Sequence, residues 1–192
     1  MKAIFVSIQN ELGGFPVSGT YTVLAGDQIK IGESDTVATL ALDGGTLYIH
    51  PDSSLTLNES NGVYTVALVS GSIGYDLNGE GMLSIISSDK EITPIATDGE
   101  RSGAVALGAK GKLVVVPVLG DARAVADDGM VTTITQGYTW TDAEQGAKLT
   151  QTQVTSGGMS TGMQVLIGVG ALAGTVLVYE WLKDDDSKSP SS

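Results

Sequence analysis

Turn dipeptides cut this chain into short pieces. Asp43-Gly44-Gly45, Asn61-Gly62, Asn78-Gly79, Asp98-Gly99 and Asp128-Gly129 recur along its body. An Asn-Gly or Asp-Gly pair supplies the positive φ that a tight hairpin turn needs. Between the cuts, apolar and polar residues alternate. Leu40 and Leu42 precede the first turn, Leu47 and Ile49 follow it, and Leu55 and Leu57 continue the pattern after Pro51-Asp52. Over residues 1–149 no apolar stripe of helical period has a useful length. A period of two, interrupted at short intervals, belongs to an all-β domain of many short strands. Leu113–Leu119 (LVVVPVL) is too uniformly apolar for a half-exposed strand. It is expected to be buried on both faces, with Pro117 at its end or at a bulge. The predicted core holds Leu40, Leu42, Leu47, Ile49, Leu55, Leu57, Val66, Leu68, Val114 and Val116.

Composition then narrows the chemistry. The chain of 192 residues has no cysteine, which removes disulfides, thiolate metal sites and thiol catalysis together. Its one histidine, His50, excludes two-His metal sites within one chain. The net charge of −12 argues against nucleic acid, which needs a basic footprint. Aromatics at 5% supply few stacking platforms for bases or sugars.

The termini differ in character. Residues 1–8 (MKAIFVSI) are too short and too mixed for a secretory signal and read as a first β-strand. On that reading the protein is not exported, or the chain is a mature form with an added methionine. Residues 163–182 (MQVLIGVGALAGTVLVYEWL) contain an uncharged run of 15 residues, Val165–Tyr179. With its flanks the segment reaches 20 residues, the length of a helix that crosses a hydrocarbon core of about 30 Å. Tyr179 and Trp181 sit at one end, and Lys183 with Asp184, Asp185 and Asp186 would stop the span. A transmembrane helix is therefore expected over 163–182; a buried strand pair or a core helix is the alternative. Gly170 and Gly174 form a GxxxG that would let helices pack and self-associate weakly. Residues 150–162 read as a flexible tether and 183–192 as a disordered polar tail.

No catalytic constellation stands out. His50 would have to serve any Ser/His/Asp triad, yet by parity it shares the Tyr48 face of its strand, opposite Leu47 and Ile49. It is expected on the solvent side, with no glycine-framed serine elbow near it. Asp127-Asp128-Gly129 and the stretch from Asp76 to Gly81 offer carboxylates, but neither matches an EF-hand ladder, and both fit ordinary turns. Lys90, Arg101, Lys110, Lys112 and Arg123 hold half of the basic residues within a short span and read as solvated side chains. No catalytic residue, metal site or cofactor is indicated.

The order of motifs between residues 40 and 140 resembles the FecR-type domain, named for the bacterial ferric-citrate regulator. A strand–turn–strand, Leu40–Ile49, is followed by Asp52-Ser53-Ser54-Leu55-Thr56-Leu57. Then come Val66–Ile73 with Gly71, the stretch Met82–Ile95, the valine-rich Val114–Ala122 with Gly120, and Val131–Tyr138 with Gly137. The series departs from the family where its Asp-Gly-Ser turn is Asp43-Gly44-Gly45. The family's Gly-Thr-x-Phe has only Gly103–Leu107 as a counterpart, and the cytoplasmic anti-sigma segment and N-terminal membrane helix of the classical regulators are missing.

The resemblance implies an all-β, twisted, solenoid-type FecR-like domain over 1–149 that acts outside the cytoplasm by contacting protein. The expectation is a non-catalytic, membrane-tethered, periplasmic binding or sensory module with an envelope protein as partner and no nucleic acid. A structural envelope scaffold that assembles through β-edges and its helix is the alternative, and a cell-wall sugar hydrolase with paired carboxylates is the remote one. Candidate partner contacts are Tyr48, His50, Tyr138 and Trp140. Trp140 is read either as an interface anchor or as a lid over the core.

Overall fold

A computed structural model describes residues 6–10, 13–17, 22–32, 37–79, 82–108, 111–142, 148–151, 165–169 and 176–180. Side chains are described within 22–32, 37–79, 82–108 and 111–142.

Turn chemistry makes the hairpins. Strands β1 (Val6–Asn10) and β2 (Gly13–Val17) pair with each other, and β3 (Gln28–Lys30) pairs with β1. The first predicted hairpin is β4 (Ala38–Leu42) and β5 (Gly45–Ile49), turning at Gly44 with φ 79°. Asn61 and Gly62, at φ 53° and 77°, join β6 (Ser54–Ser60) to β7 (Val63–Asn78). Strands β8 (Met82–Ser87) and β9 (Lys90–Ile95) turn at Ser88 and Asp89, with φ 49° and 61°. Asp98-Gly99 leads into β10 (Glu100–Leu107), which pairs with β11 (Leu113–Leu119). Then follow β12 (Asp121–Ala126), β13 (Val131–Ile134), β14 (Tyr138–Thr141) and β15 (Lys148–Gln151). The last of these runs past residue 149, the expected end of the domain.

The strands form two layers of one sheet. The first layer runs β2-β1-β3-β6-β7-β8-β9-β12-β13 and the second β4-β5-β7-β10-β11-β14-β15. Strand β7 belongs to both. Residues 63–70 pair with β6, and residues 71–78 pair with β10. The bend between them falls at Gly71, whose φ is 80°. The sheet is nearly closed and barrel-like, where the resemblance implied a solenoid-type stack. Across the opening, the Lys90 ammonium meets the Asp142 carboxylate at 2.6 Å and ties the two layers together.

The core lies between the layers. Leu40, Leu47, Ile49, Leu55, Leu57, Val66 and Leu68 are buried in it, and Leu42 packs at its margin. Strand β11 is buried on both faces, as its composition predicted. Leu113 and Val115 enter the main core, whereas Val114 and Val116 form a second cluster with Ala104 and Ala106. The register shifts between Ser102 and Gly103, opposite Leu119 and Pro117, so Pro117 does sit at a bulge.

The C-terminal expectation needs correction. Residues Val165–Val169 (β16) and Val176–Glu180 (β17) are extended and pair antiparallel, from Val165↔Glu180 to Val169↔Val176. Over these described residues the structure holds the strand pair that was the alternative, where a helix over 163–182 was expected. The physical reason is local. Val165, Ile167, Val169, Val176 and Val178 alternate and are β-branched, which favours pleated backbone. Gly168 inside the run costs a helix about 1 kcal/mol. Among the described residues no helix is long and apolar enough to cross a membrane. Gly170, Gly174, residues 152–162 of the tether and the tail at 183–192 lie outside the described residues.

Candidate protein-contact surfaces

One polar cluster fixes the bend in β7. Ser53 is fully buried, and its hydroxyl both accepts from the Ser72 N–H and donates to the Ser72 carbonyl, each at 2.9 Å. Asp52, at φ 58°, sets up the approach. The Asp52-Ser53-Ser54 run is thus a structural pin: it holds the crossing point between the layers, and its hydroxyl is committed to backbone.

A second buried position explains Gly103. A Cβ on Gly103 would lie 2.5 Å from the Tyr75 hydroxyl and 2.6 Å from the Val116 carbonyl oxygen. The tyrosine fills the space that glycine leaves. Its Oη has no hydrogen-bond partner among the described residues. Burial pushes the phenol well above the usual tyrosine range, against the opposing pull of Arg101. The folded-state value lies above the unfolded one, so the stability gained by keeping Tyr75 neutral is complete below pH about 10 and lost as pH rises further. Tyr75→Phe should therefore resist alkaline unfolding better than the parent. At neutral pH it should be at least as stable, because no hydrogen bond is lost. Thermal melts from about pH 8 to about pH 11 check both expectations.

The four predicted contact residues do not form one patch. Tyr48 is half-buried on β5, its ring carbon Cδ2 3.6 Å from where a Gly74 Cβ would lie. Burial first, and the Asp76 carboxylate second, raise its phenol above the ordinary value. His50 is 5% exposed, not solvent-facing, and its backbone N–H donates to the Ser72 carbonyl at 3.1 Å. Parity set it opposite Leu47 and Ile49, where exposure was expected, yet the residue is buried. Trp140 is 3% exposed and packs in the main core, the position that the lid reading requires. Tyr138 alone is exposed, at 37%.

The outer face of the first layer is open instead. Paired across it in register are Ala67↔Ile86, Ile86↔Glu91, Glu91↔Val125 and Val125↔Val131. This is an apolar row broken by one carboxylate, and Ile86 and Val131 are 44% and 57% exposed. Glu91 also accepts a 2.7 Å hydrogen bond from the Ser84 hydroxyl. The row ends at β13, which among the described residues pairs only with β12. An open edge next to exposed apolar side chains can take up an added strand. The sequence marked this edge only by its Asp128-Gly129 turn. Among the described residues there is no cluster of three or more His, Cys, Asp or Glu suited to a metal ion.

No protein-family model and no curated protein matches the sequence. Solved structures do match. Two crystal structures of a "putative anti-sigma factor" from Parabacteroides distasonis ATCC 8503, at 2.50 and 1.65 Å resolution, are similar with a TM-score of 0.54 and 10% identity. The match covers 65% of this chain and 59% of each of those, so it spans less than two thirds of their length. At that identity the likeness is one of fold.

Proposed function

We propose that this chain is a non-catalytic regulatory module of FecR type that works outside the cytoplasm by contacting an envelope protein. The observation that carries the reading is the fold shared with the anti-sigma structures over 65% of the chain. The ordered motif series between residues 40 and 140 supports the FecR assignment. The contact runs through the open edge of β13, where a partner strand would be added beside Val131, and the apolar row leads back from there across β12 and β9 to Ile86 on β8. The apolar segment 163–182 attaches the domain to a membrane.

Transcript profiles test the regulatory half of this reading. Deletion of the gene in the native host should change a defined set of transcripts, and the full chain should restore them. Unchanged transcripts with a weakened envelope would replace this reading by the scaffold, whose support is the same unpaired edge of β13.

A further inference from the structure

The outer face of the second layer is buried where a sheet facing solvent would be exposed. Val105, Leu113 and Val115 point into the main core, so Ala104, Ala106, Val114 and Val116 point away from it. Each of these four is nevertheless 1% exposed. They sit in two registered rows, Tyr48–Gly74–Ala104–Val116 and Ser72–Ala106–Val114–Thr141. The central side chains are small, which leaves a shallow strip across β7, β10 and β11. Strand β16 approaches the β7–β10 part of this strip: its Cα atoms come within 8 Å of those of both strands. Packed sheets ordinarily sit about 10 Å apart, so the small residues are what admit so close an approach.

The occupant of the strip is also the segment with a second place to go. Its uncharged run of 15 residues, Val165–Tyr179, has the apolar content to leave water for a bilayer. In a bilayer it must satisfy its own backbone, and an open hairpin does not do so, whereas a helix does. We infer that the C-terminal segment is a removable cover. It is seated as a hairpin on the Ala104–Val116 strip when the protein is free, and it is withdrawn as a helix when a membrane takes it. Membrane attachment then uncovers a second apolar contact face beside Tyr48. The bilayer binds only the withdrawn segment, which is the differential affinity that such a shift requires. The inference rests on the membrane attachment proposed above.

The absence of cysteine makes the test clean. In the full chain, Ala104→Cys is combined in turn with Leu166→Cys, Ile167→Cys and Gly168→Cys, and treated with a short bismaleimide. A parallel set on Ala106→Cys guards against a misfolded variant. At least one pair should crosslink in buffer. The crosslink should be lost when vesicles of phosphatidylethanolamine and phosphatidylglycerol are added and the protein floats with them. No crosslink in buffer overturns the cover. A crosslink that persists in protein floating with vesicles overturns the cover and leaves membrane attachment standing. Protein that keeps its crosslink and does not float overturns both.

Discussion

Gly71→Ala should be among the most damaging single changes in the chain. Two effects combine at this position. The backbone holds φ at 80°, which costs a residue with a Cβ about 1–2 kcal/mol. The added Cβ would also lie 2.5 Å from Ser53 Cα and 2.8 Å from the Asp52 carbonyl oxygen. Neither neighbour is the free end of a side chain, so backbone must move, at about 1–3 kcal/mol for overpacking. The movement also displaces Ser53 from Ser72, where one hydroxyl satisfies both a donor and an acceptor. Gly62→Ala separates the terms. Its φ is 77°, but a Cβ there meets nothing within 4 Å, so only the backbone cost applies. Urea unfolding of the two variants should show Gly71→Ala losing at least about twice as much stability as Gly62→Ala. Equal losses would mean that the Ser53 pin contributes nothing.

Trp140→Ala should cost about 3–5 kcal/mol, the range for deleting a large buried aromatic. Trp140 stands opposite Val115 in the β11–β14 ladder and closes the core beneath β14. Its indole Nε1 has no hydrogen-bond partner among the described residues. Trp140→Phe should therefore keep most of the stability, since packing is lost only in part and no hydrogen bond is broken. Denaturant midpoints measured at constant slope give both values. Partner binding per folded molecule should be unchanged in either variant, because the residue has no surface to offer. A variant that melts normally but fails to bind would reverse the assignment of Trp140 from lid to anchor.

Local chemistry was legible in the sequence, and long-range placement was not. The turns at Gly44, Asn61-Gly62 and Asp98-Gly99 announce themselves because the residues with positive φ are of the types that accept it. The Ser88-Asp89 turn carries no such mark, since neither residue is glycine, and the stretch Met82–Ile95 consequently reads as one strand where there are two. The parity of Val114, Val116 and His50 could be read, but parity gives a face and not what lies upon it. For Val114 and Val116 the uniform apolar run of their strand shows that both faces are covered, whereas His50, expected on the solvent side, is buried as well. Strand β13 reads as an ordinary strand; that it is an edge depends on its hairpin partner β12 pairing on its other side with β9, which is far away in sequence. The C-terminal run satisfies both a membrane-length count and a β-branched alternation, and neither pattern alone decides between them.

The claim that this domain works by protein contact through the β13 edge is tested most directly by site-specific photo-crosslinking in the native host. A photoreactive residue is placed at Val131, on the edge, and at Leu24, which is 65% exposed but lies elsewhere in the fold. A discrete adduct with one other protein is expected from Val131 and none from Leu24. No adduct from Val131, or the same adducts from both positions, would contradict it.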